Sequence, residues 1–223
     1  MKNLALQFIA RLIIALSLAT TSCAEPTNLS VLKNEIKAYH DSGLYEKELA
    51  KVILQAQVYI LHQAEINAQH HHAKKLAVVL DIDETSLSNY DKMVKRDFHG
   101  TREQFHQETL AANAAVISPM LSLYNKARKQ GIEIFFVTGR QRSELAATKT
   151  NLLGAGYKDW AGLYLRPDNY NQSSIIPFKS QARKAIEEKG YTIIASIGDQ
   201  YSDIKGGYFQ RGFKLPNPYY YLP

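Results

Sequence analysis

Leu76-Ala-Val-Val-Leu-Asp81-Ile-Asp83-Glu84-Thr85 is the stretch on which the reading of this chain turns. Leu76 to Leu80 run without a polar interruption, the pattern of a strand buried on both faces of a parallel sheet. The run then breaks into acid at Asp81, Asp83 and Glu84. Ligands of open α/β sheets sit just beyond the carboxyl ends of the strands. Extended backbone carried through Asp83 would set Asp81 and Asp83 on one face, pointing into one pocket. Taken alone, the stretch reads equally as a solvated acidic turn.

Downstream, the same grammar repeats. Ser118-Pro119 opens a helix as N-cap and N1 proline, and Gly131 closes it. Ile132 to Val137 is a second strand, ending in Thr138-Gly139-Arg140. A helix from about Ser143 to Leu153 follows, then a short strand from Ala161 to Leu165. Ile176 to Lys189 holds another helix, with Lys179 near its start. Thr192 to Ile197 is a fourth strand, ending in Gly198-Asp199-Gln200-Tyr201-Ser202-Asp203, and Phe213 to Leu215 a fifth. Strands alternating with helices predict an α/β fold with a doubly wound parallel sheet.

Upstream, residues 29 to 69 read as a helical N-terminal extension. A short helix ends near Gly43, and a long one from Tyr45 to Ala68 carries Val52, Ala56, Tyr59, Ile60 and Ala64 at helical spacing. His70-His71-His72 reads as an exposed linker, with adventitious metal binding as the alternative. Residues 86–117 exceed an ordinary connection. Their large side chains, among them Tyr90, Phe98 and Phe105, form either a small cap that walls a pocket or a satellite helix packed on the domain.

Length bounds the chain to one domain over residues 25–223, long enough for a full α/β core. Residues 1–24 resemble a secretory signal: Lys2 and Arg11, an apolar run from Leu12 to Ala19, and Ser22-Cys23-Ala24 before Glu25. The run is too short for a membrane span of ~20 residues, so no transmembrane segment is expected in the mature chain. Cleavage after Ala24 would give a soluble periplasmic or secreted protein, and cleavage before Cys23 a lipid-anchored one. Either way no internal disulfide is available. The formal charge of +6 falls to +4 once Lys2 and Arg11 leave with the leader. Without basic runs this argues against a nucleic-acid polymer as partner, yet suits an anionic small molecule.

Three strand ends carry chemically useful residues: Asp81 and Asp83, Thr138 and Arg140, Asp199 and Asp203. Converging in one parallel sheet, they make a site. Four clustered carboxylates stay ionised only if a cation offsets them, and an all-oxygen set points to Mg²⁺. With a hydroxyl at Thr138, a backbone-amide turn at Gly139 and the Lys179 ammonium, such a site suits a phosphoryl group. A carboxylate nucleophile splits phosphoryl transfer in two through an aspartyl-phosphate. Asp81, on the rigid strand end, is best fixed for that role, leaving Asp83 to protonate the leaving oxygen and then deprotonate water. The second role expects an Asp83 pKa pushed upward by neighbouring anions.

Asp81-Ile-Asp-Glu-Thr85 with Leu87 and Asn89, Thr138-Gly-Arg140, Lys179-Ser-x-x-Arg183 and Gly198-Asp199-x-x-x-Asp203 together resemble the haloacid dehalogenase (HAD) superfamily. Within it they are similar to the secreted acid phosphatases of bacterial class B/C type and their plant relatives, the acid phosphatases and vegetative storage proteins of subfamily IIIB. The likeness spans roughly residues 29 to 220 and includes the Leu215-Pro-Asn-Pro tail. It implies Asp81 as nucleophile and Asp83 as acid/base, with Thr138, Gly139 and Lys179 at the phosphoryl oxygens. It implies Mg²⁺ held by Asp81, the Asp83 main-chain carbonyl and Asp199, with Asp203 on the ion or just behind it. The chain departs from class C at Ser86, Lys92, Gln200-Tyr201 and Ile204, so that class's substrate pocket does not carry over.

The expected function is a Mg²⁺-dependent acid phosphatase acting broadly on phosphate monoesters, aryl phosphates and nucleoside monophosphates included. A non-enzymatic binding or storage protein on the same scaffold is the alternative, although such a protein should have lost Asp81 or Asp83. A receiver-type signalling module would be cytoplasmic and would not place its phosphorylated Asp two residues before a second one. The oligomeric state stays open.

Overall fold

Alternation of apolar side chains along β1 (Lys75–Leu80) decides how this protein is layered. Val78 and Leu80 join one buried cluster, and Ala77 and Val79 another, so the strand is covered on both sides. The computed structural model describes residues 25–222; the leader-like stretch, Cys23 included, lies outside the described residues. The described chain divides into a short leading unit up to Leu32 and a unit from Lys33 onward. In the first, the Asn28 side chain caps the helix start by accepting from the Ser30 backbone at 2.9 Å.

The sheet has five strands in the order β5-β4-β1-β6-β7, every neighbouring pair parallel, with β4 Glu133–Gln141, β5 Gly162–Arg166, β6 Tyr191–Gly198 and β7 Arg211–Lys214. β1 is central, which explains its uninterrupted apolar run. Helices α1 (Leu29–Asp41) and α2 (Leu44–Ala68) precede it, with Gly43 between them at φ 78°, a left-handed position that favours glycine. α2 buries Tyr45, Leu49, Ile53, Ala56 and Ile60 along one face. That face packs with α5 (Ser118–Lys129) over Val78, Leu80, Ile134 and Phe136. On the opposite side α7 (Ile176–Glu188) sets Ala182 and Ile186 against Ala77, Val79, Phe135 and Val137.

Between β1 and α5 the chain forms a two-strand antiparallel ribbon, β2 (Leu87–Ser88) with β3 (Ala115–Val116), and helices α3 (Tyr90–Lys95) and α4 (Arg102–Leu110). Its aromatics divide. The Tyr90 ring stacks on His40 with centroids 3.3 Å apart, and Phe98 lies parallel to Tyr219 at 6.2 Å. Those two rings belong to an aromatic cluster, whereas Phe105 stays exposed beneath the Arg96 guanidinium. Of the two readings of this segment, Tyr90 and Phe98 follow the one in which the aromatics pack on the domain: flat rings next to other rings bury more area by stacking than by facing solvent.

Two boundaries differ from the sequence reading. α5 has Ile117 at its N-cap, with Ser118 and Pro119 inside the first turn, because the Ile117 amide donates to the Ser86 carbonyl at 3.1 Å. β4 continues to Gln141, so Thr138-Gly139-Arg140 is strand with a register shift rather than a turn. α6 (Leu145–Gly154) follows a short 3₁₀ turn. His70, His71 and His72 lie exposed in the turn before β1.

Candidate active site

The Asp81 amide donates to the Ile197 carbonyl at 3.0 Å, carrying the β1–β6 ladder one residue past the strand. The backbone then turns instead of staying extended. The Ile82 carbonyl accepts from the amides of Thr85, Ser86 and Leu87, and Glu84 takes a φ of 52°. A non-glycine residue there is strained and persists only where its surroundings hold it. Here they do: the buried Glu84 carboxyl accepts the Asn89 amide at 2.6 Å and the Tyr220 hydroxyl at 2.9 Å. Ser86 Oγ donates to the Asp81 carbonyl at 2.7 Å, pinning the turn from inside.

Asp81, at the end of β1, meets Asp199 and Asp203, beyond the end of β6. Each offers one carboxylate oxygen, and the three oxygens lie within 4.8 Å of one another, all in buried residues. Lys179, from the first turn of α7, donates to Asp81 Oδ1 at 2.9 Å and to Asp203. Gly198 makes room for this arrangement, since a β-carbon there would sit 2.1 Å from Asp203 Oδ2. The Arg183 guanidinium braces the loop behind Asp203 through the carbonyls of Asp203, Lys205 and Gly207.

Electrostatics follow from burial. Burial raises Asp81 well above the ordinary carboxylate value, with Lys179 pulling it back and Asp203, Asp199 and Asp83 pushing further. Asp199 is raised by burial and then by Asp203. Burial alone would lower Lys179, but Asp203 and Asp81 outweigh it and keep the ammonium charged. One lysine among three carboxylates leaves a buried excess of negative charge. Hard oxygen donors with such an excess fit a divalent cation of the Mg²⁺ kind.

Asp83 departs from the sequence reading. Its carboxylate is gripped in bidentate fashion by Arg140, Nε to Oδ2 at 2.9 Å and Nη2 to Oδ1 at 2.7 Å, and accepts Asn89 Nδ2 at 2.8 Å. Burial pushes its pKa up, but Arg140 and Asn89 prevail and hold it below the ordinary value. With Arg140 and Asn89 holding its side chain, its main-chain carbonyl is the group it could offer a cation. Thr138 is buried on β4 beside β1, its hydroxyl accepting the Arg140 amide at 3.2 Å. Gly139 lies next to it, its carbonyl accepting Arg166 Nε at 3.1 Å.

Sequence reasoning quoted Arg140, Asn89 and Arg183 within motifs but assigned them no task, and it missed Glu84, Gln200 and Asn217 as partners of the site. No local signal connects Asn217 to Asp199, since they lie 18 positions apart with a strand between them.

The sequence profile of the HAD superfamily, subfamily IIIB (Acid phosphatase), matches residues 14–223. The chain is 35% identical to Acid phosphatase 1 of Solanum lycopersicum over 153 residues, 65% of this chain and 58% of that protein. It is 34% identical to the Stem 28 kDa glycoprotein of Glycine max over 191 residues, covering 78% of this chain and 74% of the other. Vegetative storage protein 2 of Arabidopsis thaliana shares 32% identity over 149 residues, 65% of this chain and 56% of that protein. The match thus spans less than two thirds of the tomato and Arabidopsis proteins. The class C acid phosphatase from Bacillus anthracis superposes with a TM-score of 0.68 at 19% identity, over 86% of this chain and 85% of the other, which establishes a shared fold.

Proposed function

Because the chain belongs to the HAD superfamily, subfamily IIIB, we propose that it is an acid phosphatase that hydrolyses phosphate monoesters through an aspartyl-phosphate on Asp81. The observation that carries this reading is the buried convergence of Asp81, Asp199 and Asp203 around Lys179 at the carboxyl ends of β1 and β6.

An Asp81 carboxylate oxygen attacks phosphorus, and the bond to the leaving oxygen breaks as Asp83 delivers a proton to it. Water then attacks the phosphorus of the acyl phosphate while Asp83 takes its proton, releasing phosphate and restoring Asp81. Lys179 holds Asp81 Oδ1, fixing the carboxylate before attack and offsetting charge on the phosphoryl oxygens, where Thr138 and Gly139 complete the contacts. Arg140 holds Asp83 ionised at neutrality, which suits the water step. The leaving-group step needs the protonated form, so the rate should rise on the acid side. Mg²⁺, held by Asp81, Asp199, Asp203 and the Asp83 carbonyl, would supply charge stabilisation for the phosphoryl oxygens.

The substrate range is proposed to be broad, covering aryl phosphates and nucleoside monophosphates. Of the three rings considered for stacking, Phe105 is the one left exposed. Export is supported by the leader-like composition of residues 1–24, and no helix among the described residues is long and apolar enough to cross a membrane. A storage role is the second reading, favoured by the likeness to a vegetative storage protein. Turnover of p-nitrophenyl phosphate with and without EDTA separates them. Chelator-sensitive turnover supports the enzyme. Absent turnover leaves storage, and turnover unaffected by EDTA in verified metal-free protein removes the metal role.

A further inference from the structure

The last residues of the chain return to the active site, where neutral amides hold Asp199. Asp199 Oδ2 accepts Asn217 Nδ2 at 2.5 Å and Gln200 Nε2 at 2.6 Å, while Oδ1 accepts the Thr85 hydroxyl at 3.3 Å. Both amides are oriented by the tail itself. Asn217 Oδ1 accepts the Tyr219 backbone amide at 2.7 Å, so its NH₂ must face Asp199. Gln200 Oε1 accepts the Leu222 amide at 3.1 Å, which turns its NH₂ the same way. Two anchors fix the tail. Tyr220 donates to Glu84, and the buried Tyr219 ring packs against Tyr45 at 5.3 Å and Tyr90 at 5.5 Å.

We propose that the C-terminal tail is a positioning element for the cation site, in which Asn217, aided by Gln200, aims the Asp199 carboxylate at the bound ion without neutralising it. This rests on the reading of Asp199 as a metal ligand. The chemistry favours amides for the task. Asp81 and Asp203 share the Lys179 ammonium, whereas Asp199 has no ion-pair partner among the described residues. A lysine or arginine at position 217 would orient Asp199 equally well but would compete with the ion for its charge. An amide donor stabilises the ionised form, fixes the carboxylate plane and leaves the charge for the cation. Such outer partners of metal ligands typically govern affinity by roughly 10–100-fold.

The test is Mn²⁺ binding to purified metal-free protein, read from the electron paramagnetic resonance of free Mn²⁺. Asn217→Ser keeps an oxygen for the Tyr219 amide but is too short to reach Asp199. It should weaken Mn²⁺ binding at least tenfold while the metal-free melting temperature stays close to wild type, and saturating Mg²⁺ should restore kcat with KM for p-nitrophenyl phosphate unchanged. Asp199→Ala is the reference and should bind far more weakly still. If Asp199→Ala loses binding but Asn217→Ser binds like wild type, the positioning role is wrong. If Asp199→Ala itself binds like wild type, the metal assignment falls and the inference falls with it. A kcat that stays low in Asn217→Ser at saturating Mg²⁺ would reduce the tail to a structural part and overturn the proposal. Should Asn217→Ser fail to fold, Gln200→Leu, which removes the other amide donor, decides by the same criteria.

Discussion

Replacing Lys179 by methionine keeps the length of the side chain and removes the charge that two buried carboxylates share. Lys179 lies 2.9 Å from Asp81 Oδ1 and also pairs with Asp203, and all three side chains are at most 7% exposed. Removing one partner of a buried ion pair costs about 3–5 kcal/mol, because the charges left behind cannot return to water. For a chain of this size each kcal/mol moves the melting temperature by about 2–4 °C, so metal-free Lys179→Met should melt roughly 6–20 °C below wild type at neutral pH. The pH dependence has a definite sign. Burial already raises Asp81 above its usual 3.8, and Lys179 is the group that restrains it. Without the lysine the folded-state pKa climbs further above the unfolded one. A carboxyl shifted this way destabilises the fold as pH rises past the unfolded value and does nothing below it. The gap between variant and wild type should therefore close as pH falls toward about 4. Calorimetric melts in EDTA at pH 4, 5.5 and 7.5 measure this directly, and added Mg²⁺ should recover part of the loss at the highest pH. A neutral-pH drop below about 3 °C, or one of equal size at pH 4, would refute the reasoning. Turnover in the variant should fall at least about a hundredfold, the usual cost of losing one donor to a developing oxyanion.

Asp81→Asn should abolish turnover, since an amide cannot form the acyl phosphate; activity above about a thousandth of wild type, by p-nitrophenol release, would remove Asp81 from the nucleophile's role. Arg140→Gln removes the charge that holds Asp83 down, so burial should push its pKa upward. The alkaline limb of its pH–rate profile, set by Asp83 losing its proton, should shift to higher pH; an unmoved limb would exclude Asp83 as the acid. Glu84 is pushed from 4.5 to about 8, by burial first and then by Asp83 and Asp199. Metal-free protein should thus lose stability between about pH 4.5 and 8, and Glu84→Gln should flatten that slope in urea titrations.

What the sequence by itself determined is the framework. An unbroken apolar run from Leu76 to Leu80 reads as a strand covered on both faces, and the acid that ends it, repeated at Asp199 and Asp203, makes a parallel sheet with an acidic site at its strand ends the consistent solution. The long helix after Gly43 was equally legible, because helical spacing and the absence of glycine or proline are local properties. Tertiary structure decided the rest. The turn that gives Glu84 its left-handed φ depends on Asn89 and on Tyr220, a residue 136 positions away. Asp83 looked like one more anion in an acidic cluster, and Arg140 on the neighbouring strand reversed the direction of its pKa shift. Tyr90 and Phe98 read equally as pocket walls or as packed rings, and His40 and Tyr219 decided for packing. In each case the deciding partner is close only after β1, β4 and the C-terminal tail have been brought together. Electrostatics and stacking depend on distance in space, and a sequence reports distance only along the chain.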